Sequence, residues 1–330
     1  MASVPSANAK KPVKYFVVDA FAEAAFKGNP AAVCLLEEER KEEWLQAVAA
    51  EFNISETCFI TPISPISESS ISRFRLRWFT PVAEVKLCGH ATLATAHTLF
   101  SSGLVDGDII AFETLSGVLI AKKIPTIDTT SASNLEKTPT GFHIELDFPV
   151  DSFTDFSLDD ESASLISEAL DGASIVDVKR TKIGDDLLVI ISSGKAVLEL
   201  QPKFDALVKC PARGVVVSAV APSDSEFDFF SRFFCPKLGI KEDPVCGSAH
   251  CSLTPYWSKK LGKCNFKAYQ VGTLIPFIGI KHYSTYLHKC IIFMQASPRG
   301  GVLNVHFDEP TQRVFLRGKA VTVMEGHVLV

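Results

Sequence analysis

Cys-Gly occurs twice in this chain in settings that could do chemistry, as Cys88-Gly89-His90-Ala91 and as Cys246-Gly247-Ser248-Ala249. An apolar stretch follows each one. The first, residues 87–100 (LCGHATLATAHTLF), has Pro81 upstream, Gly89 at its entrance and Gly103 just past its end, where a C′ glycine belongs. Its body has no solvated face, which predicts a helix buried on all sides. The start of such a helix carries free N–H groups and a partial positive charge. Two of them facing one cleft would make a seat for a carboxylate. Gly89 and Gly247 would let the backbone come close to the ligand, although a glycine also serves a strand-to-helix turn. The dipole would keep the His90 imidazole neutral or make it a donor to an anion. Ser248 could cap the second helix. Asp243, just ahead of that helix, has a dipole-favoured place in any case.

The two sites belong to a longer internal repeat. Residues 79–91 (FTPVAEVKLCGHA) and 234–249 (FCPKLGIKEDPVCGSA) share Phe-x-Pro, a spacer and Cys-Gly-x-Ala, with the cysteines 158 residues apart. The preceding β-rich runs, ISETCFITP (54–62) and RGVVVSAVAP (213–222), follow at offsets of 159 to 160. That period is too long for a solenoid and predicts two homologous halves. In the first half, KYFVVDAF, AAVCLL, ETCFIT, SRFRLRWF, DIIAFET and GVLIAKK read as strands and EEERKEEWLQAVAAEF as an amphipathic helix. In the second, FHIELDFP, IVDVKRT, DDLLVII, AVLEL and GVVVSAVA read as strands. A helix then runs from Gly247 to Leu261, with Gly262 as its stop and Pro255 expected to kink it or end its first segment. The expected fold is α/β (α+β): two pseudo-symmetric half-domains, each a barrel-like, strongly curved sheet around a central buried helix. The boundaries expected are a tail at 1–12, an N-terminal half at 13–125, a Thr/Ser-rich linker at 126–141 and a C-terminal half at 142–330, whose last strand could return to the first half.

Bulk properties narrow the classes of partner. The 330 residues carry a net charge of −5 with no basic block, which argues against nucleic acid or an anionic membrane. No apolar run reaches transmembrane length, and the N-terminus lacks the apolar core of a signal peptide. Nine cysteines, an odd number without paired spacing, read as reduced thiols in a cytoplasmic protein. A homodimer stands as one option for its assembly.

Six stretches together resemble the PhzF-like phenazine-biosynthesis family within the wider diaminopimelate-epimerase fold. They are FKGNPAAVC (26–34), ISETCFI (54–60), RWFTPVAEVKLCGHATLATA (77–96), FFCPKLGIKEDPVCGSAH (233–250), ASPRGGVL (296–303) and GKAVTVMEGHVLV (318–330). The resemblance implies an active site between the halves, with no metal and no organic cofactor. It also implies that Glu56 of the SET motif moves a proton between carbons of a small carboxylate-bearing substrate. Taken alone, a glutamate after a serine at such a turn reads as a solvated or capping residue. His90, Asp243 and Ser248 match further catalytic positions of the family, and Asn29, Gly89, Gly247 and Ala249 match substrate-binding ones. Racemases related to diaminopimelate epimerase use paired cysteines at the two Cys-Gly positions as bases, and a helix start lowers a thiol's pKa. Cys88 and Cys246 are therefore alternative bases, or else small packing residues. Against the racemase pattern, this chain has CGHA where those enzymes have CGNG. An isomerase, a two-cysteine racemase and a non-catalytic binding protein on the same fold thus stand as three readings.

Two features stand apart. Cys246, His250, Cys251 and the more distant His97 lack zinc-ligand spacing, so no metal is expected. Residues 271–295, VGTLIPFIGIKHYSTYLHKCIIFMQ, interrupt the family pattern AYQASPRGG, in which the strand is expected to run on unbroken. The segment is apolar without a helix or strand period. It opens on a Val codon, which begins GT, and closes on Gln, whose codon can end AG. It reads as a translated intron, with an inserted hairpin or partner-binding flap as the alternative.

Overall fold

The computed structural model describes residues 11–63, 71–126, 141–271 and 299–329. The proposed tail (except for its last two residues), most of the proposed linker and residues 272–295 of the anomalous segment lie outside these. The first half runs β1 (Val13–Ala20), β2 (Asn29–Leu35), α1 (Glu42–Phe52), β3 (Glu56–Pro62), β4 (Ser72–Phe79), β5 (Glu84–Val85), α2 (Gly89–Ser101), β6 (Ile109–Thr114) and β7 (Gly117–Thr126). Then come β8 (Gly141–Pro149), β9 (Phe153–Asp155), α3 (Asp160–Ala169), β10 (Ile175–Thr181), β11 (Leu187–Ile191), α4 (Gly194–Glu199), α5 (Phe204–Leu207), β12 (Val215–Val220) and β13 (Phe229–Cys235). A 3-10 turn (Pro236–Leu238) leads to β14 (Ile240–Asp243), α6 (Gly247–Leu261), β15 (Asn265–Gln270), β16 (Gly301–Asp308), β17 (Arg313–Gly318) and β18 (Ala320–Val328).

The strand pairing repeats itself. In the first half β1 is antiparallel to β2, β2 parallel to β3, β3 antiparallel to β4, β4 parallel to β6 and β6 antiparallel to β7. β10, β11, β12, β13, β15 and β16 pair in the same order and senses. β8 and β17 are antiparallel neighbours that join the halves, while β9 adds to β10 and β18 adds to β1. Each half therefore completes its sheet with a strand delivered from beyond its own run. Register places Thr57 against Phe79 and Val215 against Phe234, so Thr57 and Val215 are equivalent, at the same 158-residue offset as the cysteines.

α2 is the buried helix that the sequence predicts. It packs on β1, β2, β3, β7, β8 and β18, and Leu93 and Leu99 are wholly buried. Each such leucine contributes about 2 kcal/mol of hydrophobic stabilisation. Its buried threonines satisfy their hydroxyls within the helix: Thr92, Thr95 and Thr98 donate to the carbonyls of Cys88, Ala91 and Ala94. Gly103 has the left-handed conformation (φ 69°) expected after the helix. α6 ends at Gly262 (φ 65°) and runs as one helix through Pro255 rather than stopping there. Buried side chains of α2 and α6 belong to one continuous core, and smaller clusters lie under α1 and under α3–α5.

Three expectations change. AVLEL lies mostly in α4 and is helical, because Ser193 accepts the Ala196 N–H at 3.2 Å and starts a helix there. The amphipathic helix begins only at Glu42. The strand expected to run unbroken from AYQ into ASPRGG instead turns back: β15 and β16 are antiparallel, with Gln270 opposite Gly301. The equivalent hairpin, β6–β7, closes in a tight turn from Thr114 to Gly117. The anomalous segment thus sits at a hairpin end, not within a strand. Its first residue, Val271, is buried and donates its N–H to Ser231.

Candidate active site

The starts of α2 and α6 touch. A Cβ built on Gly89 would lie 2.6 Å from Gly247 Cα, and one built on Gly247 would lie 2.8 Å from Gly89 Cα. The two glycines are needed for the helices to approach each other, which is a tighter constraint than the ligand access expected of them. Cys88 and Cys246 are the N-cap residues. Cys246 Sγ accepts the Ala249 N–H at 3.4 Å, whereas the Cys88 side chain makes no cap hydrogen bond. Ser248 is therefore not the cap; its hydroxyl lies 3.2 Å from Cys246 Sγ. Nor is the Ala249 amide free for a substrate. The N–H groups of Gly89, His90, Gly247 and Ser248 have no acceptor among the described residues. Four donors at two apposed helix starts are an anion seat.

Three titratable side chains close around this seat. Glu56, the first residue of β3, is buried, with Oε2 3.1 Å from His90 Nε2. The two are not aligned as a hydrogen bond, and neither atom has another partner among the described residues. On the other edge of the ring, Nδ1 lies 3.4 Å from Cys88 Sγ. Burial alone would hold His90 neutral, but the adjacent Glu56 carboxylate, with Asp243 behind it, outweighs burial and raises its pKa. Of the two roles expected there, neutral imidazole or donor to an anion, the rise runs toward the donor. Asp243, at the end of β14, is held through Oδ1, which accepts from Asn29 Nδ2 at 2.6 Å and Val245 N at 3.0 Å. Burial raises its pKa and Glu56 adds to the rise, while His90 opposes it. The buried Arg232–Glu242 pair at 2.7 Å, with Arg232 also donating to Leu200 O, pins β14 to β13.

Asn29, expected to touch substrate, directs its amide elsewhere. Nδ2 donates to Asp243 and to Val245 O, and Oδ1 accepts from Ser55. It positions Asp243 from across the halves. Gln270 does the same from the other side and was not singled out by sequence: Oε1 accepts the Cys246 N–H at 2.6 Å, and Nε2 donates to Asp243 O at 2.7 Å. Its one sequence signal was its place as the last residue of the AYQ fragment. Arg213, also missed, holds Asp186 through Nε and Nη2 at 3.0 and 2.6 Å. Arg299 of the SPRGG motif donates to the buried Asp19 at 2.8 Å, and Asp19 accepts the Phe26 N–H at 2.6 Å. That motif thus braces the FKGNP loop.

The lowered thiol pKa that a helix start would give is not found at either cysteine. Burial pushes both Cys88 and Cys246 well above the ordinary thiol range, with the Glu56 charge adding at Cys88 and the Asp243 charge at Cys246. The helix starts do not compensate for this loss of water. Glu56, Cys88 and His90 bring donor atoms within 4.8 Å of one another. The thiol and the carboxylate flank different ring nitrogens of His90. His250 gives Nδ1 to the Cys246 carbonyl at 2.7 Å, and His97 stacks on Phe142. The eight described cysteines are all free.

The site opens into a pocket of about 30 Å³ between the helix starts, lined by Glu56, His90, Asp243, Ser248 and Arg213 among others. That is space for one or two waters. A second cavity of about 310 Å³ shares Val85, Leu87, Arg213, Leu238 and Ser248 with it. No helix among the described residues is long and apolar enough to cross a membrane.

A duplicated, strongly curved sheet around two buried helices, with their starts apposed at a pocket between the halves, defines a protein of the diaminopimelate epimerase-like fold class. Known proteins narrow this. The family model described as "Phenazine biosynthesis-like protein" matches residues 18–326. A Halalkalibacterium halodurans protein named as an uncharacterized isomerase is 39% identical over 315 residues, covering 95% of this chain and 97% of its own. The mouse phenazine biosynthesis-like domain-containing protein 1 is 36% identical over 325 residues, covering 94% and 97%. The crystal structure of an Enterococcus faecalis phenazine biosynthesis protein of the PhzF family matches with a TM-score of 0.72 at 35% identity, covering 97% of this chain and all of the other. The chain belongs to the PhzF-like phenazine biosynthesis-like family.

Proposed function

We propose that this protein is a cofactor-independent isomerase that moves a proton on a small carboxylate-bearing substrate, with Glu56 as the acid/base. The observation that carries the reading is the pair of touching helix starts, whose four unanswered N–H groups lie beside the Glu56–His90 contact. A carboxylate seated there is polarised by the donors. Glu56 takes the proton from the neighbouring carbon, and the electron pair of that C–H bond passes into the substrate's conjugated carboxylate. The proton returns to a different carbon, which shifts a double bond and restores the Glu56 carboxylate. His90 holds Glu56 in place. Asp243, its pKa raised by burial, keeps a proton in reserve at the opposite wall.

The competing reading uses the two thiols as bases. The upward push on both thiols weighs against it. The test is deuterium wash-in from D2O into candidate unsaturated carboxylates. Under the proposed reading, Glu56→Gln abolishes exchange, Cys246→Thr keeps most of it, and iodoacetamide has little effect. Loss of exchange in Cys246→Thr with retention in Glu56→Gln would overturn the assignment.

A further inference from the structure

We propose that the substrate carries a second anionic group, and that the larger cavity binds it between Arg213 and Lys86. This deepens the proposed function, since it rests on the first carboxylate lying at the helix starts.

The inner pocket, at about 30 Å³, cannot hold a substrate body, so whatever is bound there extends into the adjoining 310 Å³ cavity. The charges in that cavity's wall can be accounted for one by one. Asp186 is held by Arg213, Glu84 by Arg77 at 2.7 and 2.6 Å, and Asp185 by Arg180 at 2.8 Å. Asp151 accepts three backbone N–H groups, from Lys182, Ile183 and Gly184, at 2.8–3.0 Å. Every acid in the wall is therefore answered.

The cations keep donors to spare. Lys86, from the first half, has no ion-pair partner among the described residues. Arg213, from the second half, gives only Nε and one Nη2 hydrogen to Asp186, which leaves Nη1 without an acceptor among the described residues. Asp186 fixes the guanidinium plane, so those donors are preorganised. Arg213 also lines both cavities, so a ligand reaching from the helix starts passes it. An anionic group there would bridge the halves, with the fixed guanidinium on one side and the lysine on the other. A carboxylate, which a guanidinium can meet with two parallel N–H donors, fits this wall.

The probes are malonate, succinate and glutarate, each against the monocarboxylate of equal chain length: propanoate, butanoate and pentanoate. Binding is read by calorimetry on the full chain. In the wild type, at least one dicarboxylate should bind roughly tenfold or more tightly than its partner. Lys86→Gln should cut that preference several-fold. The paired change Asp186→Asn with Arg213→Gln, which leaves no lone buried charge, should bring it near parity. No preference in the wild type would overturn the proposal, as would an unchanged preference in Lys86→Gln or in the folded double variant. Because the readout is binding, Glu56→Gln should keep the preference. Failure of the proton-transfer reading would therefore show in exchange alone, and failure of this proposal in the binding comparison alone.

Discussion

Gly89→Ala adds one methyl group at the point where the two halves meet. Its Cβ would lie 2.6 Å from Gly247 Cα, 3.0 Å from Gly247 C and 3.2 Å from Ser248 N. All three are backbone atoms and cannot rotate aside. Carbon–carbon contacts relax near 3.5–4.0 Å, so the helix starts must part by about 1 Å. Overpacking on this scale costs about 3 kcal/mol, the upper part of the usual range, because both partners are anchored in one core. In a thermal scan of a chain this long, that is a fall of roughly 5 °C. Parting the starts also spreads the four N–H donors, and a displacement of about 1 Å can cost on the order of a hundredfold in rate. Gly141→Ala is the control, since a Cβ there meets nothing within 4 Å and φ is not positive. It should melt like the wild type. If Gly89→Ala also melts and exchanges deuterium like the wild type, the helix starts are not in contact and the seat does not exist.

Gln270→Leu removes the partner of the Cys246 N–H and of the Asp243 carbonyl, so two buried backbone groups lose their hydrogen bonds. The expected loss is about 2–4 kcal/mol in a denaturant titration, with slower exchange. His97 and His250 are both pushed down to about 4 by burial, against an ordinary 6.5. Their neutral forms stabilise the fold fully above pH 6.5, and that contribution, at most about 3 kcal/mol each, is lost as pH falls toward 4. His250→Phe should flatten the pH dependence of the melting temperature over that window. Asp243, raised by burial, acts with the opposite sign: its contribution is present at low pH and is lost as pH rises through its folded value. Deleting residues 272–295 keeps Val271 and its bond to Ser231, shortens the β15–β16 connection and should raise the melting temperature by the equivalent of about 1 kcal/mol. A lower midpoint would make that segment a structural element of the fold.

The sequence made legible whatever depends on local pattern. The nearly all-apolar stretch 87–100, without a solvated face, announced a buried helix, and the Cys-Gly repeat announced its twin. Gly103 and Gly262 marked where the two helices stop, because the left-handed turn there favours glycine. Contacts that join distant strands were not legible. Arg213 and Asp186 lie 27 residues apart, and Asn29 reaches Asp243 across 214. Nothing in the spacing of either pair distinguishes it from surface polarity. The AVLEL error has a local cause: branched residues outweighed the serine two positions ahead of the helix's first lysine. The upward push on the thiols was not legible, because a helix start is visible in sequence and depth of burial is not.

The duplication also bears on which proton chemistry the site can support. Register makes Glu56 equivalent to Gly214, Asp243 to Val85 and Gln270 to Thr114. The 158-residue offset makes His90 equivalent to Ser248. Where the first half carries its carboxylate, the second has no room for a side chain: a Cβ on Gly214 would fall 2.7 Å from the Phe233 ring. The backbone is symmetric, but the acids and bases are not. A racemase that removes a proton from one face and delivers one to the other needs a base on each side of the pseudo-dyad. Among the described residues only the two thiols stand in that relation, and burial disfavours the thiolate of both. Glu56 and Asp243 occupy non-equivalent walls, and burial raises the pKa of Asp243. The proposed shuttle along a single substrate face needs acids on non-equivalent walls, which this asymmetry supplies. Gly214→Glu with Glu56→Gln would move the carboxylate to the opposite wall. Because Gly214 has no space for it, that double variant should neither exchange deuterium nor fold as well as Glu56→Gln alone.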